Sequence, residues 1–202
     1  MKKRISILVG LLILMTSSGA FANTTDSTTY GSGNYGNCDY GSCTITLSSS
    51  GSVTANVTPS AGGACTVQSD AVTVTTDSTT GYTLTATTSS TSTGMTSGGN
   101  TIPSTTATQA SPSVLTSERW GFRVDGLGGF GSGPTTAQTN GSIPSLTFAG
   151  MPSSSGTPDQ LASTSSPASS GATTNVWYGV CADTGIPSGT YSVSVLYTAV
   201  TN

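Results

Sequence analysis

The 202-residue chain contains no His, and its only Lys residues are Lys2 and Lys3. Arg4, Arg119 and Arg123 complete its basic side chains, and charged residues make up 6% of the sequence. Without His, the Ser-His-Asp and Cys-His nucleophile arrangements cannot be assembled, and beyond Lys3 neither can Ser-Lys. Bracing or polymerisation through Lys isopeptide bonds lacks its amine for the same reason. Two Arg residues beyond position 4 cannot neutralise a run of phosphates, so nucleic acid is not expected as a partner. Acids are few as well. Glu118 and Asp125 bracket one alternating run and Asp70 and Asp77 another. At strand rise each pair lies roughly 23 Å apart, too far for the paired carboxyls of glycoside hydrolysis. No D-x-[DN]-x-[DN]-G spacing occurs, so the Asp residues read as turn caps, and no metal or cofactor is expected.

What the chain has in abundance is hydroxyl: 35 Ser and 39 Thr. Its start follows a different grammar. Lys2, Lys3 and Arg4 precede an apolar run from Ile5 to Met15, and Ala20-Phe21-Ala22 supplies a small-residue cleavage pattern. This predicts a signal peptide over residues 1–22, with Asn23 first in the product. A retained membrane span needs about 20 apolar residues, and Thr16, Ser17 and Ser18 interrupt this run too early. No second apolar span follows, so no transmembrane segment is expected after cleavage.

Export gives the four cysteines, Cys38, Cys43, Cys65 and Cys181, an oxidising destination. Four cysteines allow three connectivities. We favour Cys38 with Cys43, across the turn Asp39-Tyr40-Gly41-Ser42, and Cys65 with Cys181. Loop-closure entropy assigns roughly 2 kcal/mol to the short bridge and roughly 5 kcal/mol to the long one. Cys-x4-Cys without His is a poor zinc pattern, and a redox pair favours Cys-x-x-Cys.

Residues 23–42 form a Tyr/Gly-rich arm with little to bury, predicted to be flexible. From residue 43 onward apolar residues alternate with polar ones, as in strands with one buried face. The runs are Ile45/Leu47, Val53/Ala55/Val57, Val72/Val74, Tyr82/Leu84/Ala86, Trp120/Phe122/Val124, Val176/Tyr178/Val180 and Tyr191 to Ala199. Residues 77–81 read as the loop of a hairpin, Ile186-Pro187-Ser188-Gly189 as another reversal, and Ile143–Phe148 as a short strand. Residues 89–117 and 151–174 read as long Ser/Thr/Gly-rich loops. No sustained helical stripe appears. The expectation is one domain over residues 43–202: an all-β, immunoglobulin-like antiparallel β-sandwich.

Aromatic residues offer the clearest candidates for ligand contact. Tyr30, Tyr35 and Tyr40 recur at intervals of five, each followed by Gly, and could stack on sugar rings or dock into a neighbouring subunit. Trp120 and Trp177 read mainly as core residues, one per sheet, and secondarily as stacking platforms. Outward Thr rows such as Thr54/Thr58 and Thr83/Thr85/Thr87 suit solvated strands.

Two segments carry a resemblance. Val72-Thr73-Val74-Thr75-Thr76-Asp77-Ser78-Thr79-Thr80-Gly81-Tyr82-Thr83-Leu84 resembles the Asp-containing hairpin of WxL-type wall-associated domains, with Tyr82 where that pattern has Trp. Gly189-Thr190-Tyr191-Ser192-Val193-Ser194-Val195 resembles the terminal strand shared by those domains and by secreted coat-protein and fimbrial-subunit sandwiches. The resemblance implies a bacterial surface location, peptidoglycan association and a non-catalytic, immunoglobulin-like core. The expected function is a structural or adhesive surface protein, secreted or held non-covalently at the cell surface. Its partners would be cell-envelope or host-cell surface components, polysaccharide, or neighbouring copies of itself. The alternative is a secreted carbohydrate-binding module acting through its aromatic residues.

Overall fold

Alternating Val, Leu and Tyr against Thr and Ser becomes strand wherever one side can be buried, and the computed structural model describes residues 11–18 and 43–202 accordingly. In chain order the strands are β1 (Leu11–Ser18), β2 (Ile45–Ser48), β3 (Ser52–Val57), β4 (Ala64–Thr76) and β5 (Tyr82–Thr88). There follow β6 (Met95–Ser97), β7 (Asn100–Ile102), β8 (Ser113–Val114), β9 (Arg119–Arg123) and β10 (Gln138–Gly141). The last are β11 (Thr147–Phe148), β12 (Asp159–Ser163), β13 (Ala168–Ala182) and β14 (Tyr191–Thr201). Among the described residues no helix is long and apolar enough to cross a membrane. The predicted arm, with Tyr30, Tyr35, Cys38 and Tyr40, lies outside the described residues.

The strands form two packed sheets, a β-sandwich. The larger has seven strands in the order β12-β5-β14-β1-β3, with β6 paired to β14 and β7 to β6. The smaller has five, in the order β10-β4-β13-β9, with β2 also on β4, and β11 and β8 make a separate small ladder. Pairing is antiparallel except between β1 and β14, which run parallel. Residues 11–18, read from the sequence as the apolar centre of a leader, thus form an interior strand of the larger sheet.

Between the sheets the inward rows meet: Ile45 and Leu47, Val53 to Val57, Val72 and Val74, Tyr82 to Ala86, Trp120 and Phe122, Val176 to Val180, and Tyr191 to Ala199. Phe122 and Phe130 meet edge-on, with ring centroids 5.7 Å apart. A second apolar cluster, Val67, Leu115, Ile143, Phe148 and Cys181, lies with the half-buried Trp177 on the other side of the five-stranded sheet.

Several expectations need correcting. The segments before and after residues 77–81 do not pair as a hairpin, because β4 belongs to the five-stranded sheet and β5 to the seven-stranded one. Residues 77–81 arch from one layer to the other, anchored by the buried Ser78 and by Gly81 at φ +79°. A side chain at Gly81 would also meet the Thr164 carbonyl at 2.3 Å. The reversal at 186–189 likewise leads from β13 into the opposite sheet. The predicted loop over 89–117 contains β6, β7 and β8, and that over 151–174 contains β12 and the start of β13. Of Ile143–Phe148 only Thr147–Phe148 is strand, with Ile143 buried as an anchor. Trp120 and Trp177 share one sheet, not two, and fall in the clusters on its opposite sides.

Candidate functional site

Cys65 and Cys181 face each other across the β4·β13 ladder and form a disulfide, with Cα atoms 4.1 Å apart. Cys43 is also disulfide-bonded. Cys38, its expected partner, lies outside the described residues.

The expected stacking residues divide. Trp120 is fully buried and donates its indole N–H to the Thr93 carbonyl at 2.8 Å. No ring face is left for a ligand, so its secondary reading as a platform is corrected: strand alternation aims the ring into the sandwich. Trp177 is half-buried against the outer cluster. Tyr30, Tyr35 and Tyr40 lie outside the described residues. Among the described residues no stacking pair forms around either Trp, and the one ring contact is Phe122 on Phe130.

Three polar groupings escaped the sequence reading. In the first, Arg123 is 2% exposed and donates to Asp125 Oδ1 from Nε at 3.0 Å and Nη2 at 2.7 Å, and to the Thr147 carbonyl at 3.3 Å. Thr135 donates its N–H to Asp125 Oδ2 at 2.7 Å and its hydroxyl to Oδ1 at 2.6 Å. Partial burial pushes the Asp125 carboxyl upward, but the Thr135 bonds and the Arg123 guanidinium outweigh it and hold it below the usual carboxylate range. Arg123 points away from the sandwich interior, as alternation predicts, yet Thr147 and the Asp125–Thr135 segment cover it.

The second grouping is internal. Tyr178 and Tyr197 face each other between the sheets with hydroxyls 2.6 Å apart. Burial raises both phenols, and the charge of nearby Asp70 raises them further. Asp70 is buried in β4 rather than in a turn, and its Oδ1 accepts from the Ser50 N–H at 2.9 Å and hydroxyl at 2.6 Å.

The third is a pair of acids, Glu118 and Asp183, from two loops at one end of the sandwich. Glu118 is raised chiefly by its hydrogen bond to Asp183, then by the neighbouring charge, while Arg119 pulls the other way. Asp183 also caps its turn by accepting the Gly185 N–H at 2.8 Å.

A cleft of about 260 Å³ lies between the 104–108 and 150–152 segments, with Thr93, Ser104, Thr105, Met151, Pro152 and Asp159 on its wall. The segment 103–105 follows β9 by way of Thr105 N–H to Trp120 O, 2.8 Å, and Trp120 N–H to Pro103 O, 3.2 Å. Gly150 lets the walls approach, since a Cβ there would stand 2.0 Å from the Thr105 carbonyl. Ser104 Oγ is buried without a partner among the described residues, and burial raises the Asp159 carboxyl. The wall supplies hydroxyls, carbonyls and one carboxyl, enough to hydrogen-bond a small polar molecule. Neither an aromatic ring nor a basic side chain lines it. Among the described residues no group of three or more Cys, Asp or Glu is placed to hold a metal ion.

Compared with family models, curated proteins and solved structures, the chain matches none. The WxL-type resemblance is therefore carried by its two short segments alone.

Proposed function

We propose that the chain is an exported, non-catalytic structural or adhesive component of a bacterial surface, with an immunoglobulin-like core. The observation that carries this reading is the Cys65–Cys181 disulfide across the two longest strands, with Cys43 bonded as well. Stable disulfides belong to oxidising compartments, where the predicted leader would deliver the chain. The exterior supports the same reading: Thr46, Ser48, Thr54, Ser192 and Thr198 project from strand positions into solvent. A hydroxyl surface with few charges lets copies or envelope polymers pack alongside without desolvating long charged side chains. Peptidoglycan or another envelope polysaccharide is the partner this reading favours, held without covalent attachment.

Cell fractionation combined with thiol labelling tests it. The expected result is recovery with the cell surface or medium, an N-terminus at Asn23 and no labelled thiol before reduction. Reduced thiols in the native product, or recovery from the cytoplasm, would overturn the proposal. A titration of Trp fluorescence with wall and capsular polysaccharides separates packing of polymer against the hydroxyl faces, which leaves the signal unchanged, from recognition of sugar near Trp177.

A further inference from the structure

Among the described residues β1 alone links β3 in hydrogen bonds to the rest of the seven-stranded sheet. On one side Ile13–Ser18 pair in parallel with Tyr191–Leu196, and on the other Leu11–Thr16 pair antiparallel with Val57–Ser52. Positions 11, 13 and 15, aligned with the buried Val57, Ala55 and Val53, are Leu, Ile and Met. The same row continues across β14, where Ile13 aligns with Tyr191, Met15 with Val193 and Ser17 with Val195, all three buried. The other row, 12, 14 and 16, aligns with exposed Asn56, Thr54 and Ser52.

Removal of residues 1–22 takes this strand away. β3 and β14 are then left about 9.5 Å apart, two strand spacings, with unpaired N–H and C=O groups on both facing edges. The buried rows Val53/Ala55/Val57 of β3 and Tyr191/Val193/Val195 of β14 then lose their neighbouring strand. The remaining long alternating apolar runs, in β3, β4, β5, β9, β13 and β14, are already paired. Residues 24–31 offer only the rows Thr24/Asp26/Thr28/Tyr30 and Thr25/Ser27/Thr29/Gly31, which hold a single large apolar side chain.

The geometry points to the space between β3 and β14 as a strand-acceptor site in the exported chain. Its occupant is an extended segment of a different polypeptide, not a second copy of this chain, at least about six residues long and apolar at every second position, running parallel to β14 and antiparallel to β3. Main-chain bonds to both edges would supply affinity, and the alternate apolar side chains would supply selection. The inference rests on the leader reading within the proposed function, and the test separates the two.

The exported protein is purified from its host and its intact mass measured. It is then titrated with a synthetic peptide of residues 10–18, carrying added Lys at each end for solubility. The expected product begins at Asn23 and binds one peptide per protein. At saturation its thermal midpoint rises by about 5 °C, and amide exchange slows at least about tenfold in residues 52–57 and 191–196. A peptide with Ile13→Asp and Met15→Asp should bind at least about tenfold more weakly, since each change would place a carboxylate in the apolar row. A partner strand retained through purification should be released in the same titration. A cleaved protein that ignores the peptide overturns the inference and leaves the leader reading intact. Self-association with residues 23–42 protected from exchange overturns it in favour of a second copy as donor. An intact mass that still includes residues 11–18 overturns the leader reading itself, and the inference with it.

Discussion

The two ends of β9 are built from the same kinds of group and put them to opposite use. At its C-terminal end Arg123 and Asp125 satisfy each other, and Thr135 adds two donors to the carboxylate. At its N-terminal end Glu118 and Asp183 bring two carboxyls together, and Glu118 adopts φ +60°, a left-handed backbone that a side chain disfavours. One end draws stability from ionised groups, whereas the other stores repulsion between them. A chain with few charges has therefore concentrated two pairs of them at the termini of one five-residue strand.

The largest break in this comparison comes from Arg123→Ala. It leaves the Asp125 carboxylate short of its two charge-assisted bonds and opens a cavity under Thr147, so we expect a loss of about 3 kcal/mol in denaturant unfolding. Next is Thr135→Val, which keeps the backbone N–H bond to Oδ2 but removes the hydroxyl donor to Oδ1. A bond to a charged acceptor is worth about 2 kcal/mol, and the loss should be smaller than that of Arg123→Ala in the same measurement. Equal losses would mean that the guanidinium contributes nothing beyond one hydrogen bond.

Neither end of β9 could be read in full from the sequence, and the reason is particular. Alternation over Arg119–Val124 assigns Trp120 and Phe122 to the interior and Arg123 to the other face, and the structure agrees about the faces. It does not reveal that residues from the 125–148 segment return to cover that face, because cover is a tertiary event with no local period. The same limit explains the misplaced hairpin. Val72/Val74 and Tyr82/Leu84 each declare a buried side, but nothing in a two-residue period says whether the next strand joins the same sheet or crosses to the opposite one. The short anchors were less legible still: Met95 is an isolated apolar residue in a Ser/Thr-rich stretch and is fully buried. β13 shows the strength of the same method, since Val176, Tyr178 and Val180 face the interior while Trp177 and Cys181 join the outer cluster as their alternation requires. The hydroxyl contact between Tyr178 and Tyr197 depends on the distance between sheets and has no sequence signature.

Acid sharpens the contrast. Asp125 has a folded value below its unfolded one, near 3.9, so its contribution is complete above about pH 4 and is lost as pH falls through the lowered folded value. Glu118 has a folded value raised above its unfolded one, near 4.3, so its contribution is complete below about pH 4 and is lost as pH rises through the raised folded value. The thermal midpoint of Thr135→Val should therefore lie below that of the native sequence at pH 7 and approach it as pH falls to 2, because the pull on Asp125 is weaker in the variant. A steeper acid fall in that variant would contradict the assignment of Thr135.

Glu118→Gln should have the smallest effect and the most diagnostic sign. At pH 7 it removes one of two adjacent charges while its amide can still donate to Asp183, as the protonated acid does at low pH. A rise on the order of 1 °C is expected, because an exposed pair of charges is largely screened by solvent. At pH 3 the native Glu118 is itself protonated and the difference should vanish. A fall at neutral pH would mean that the Glu118 carboxylate is held mainly by Arg119, making this end of β9 attractive like the other.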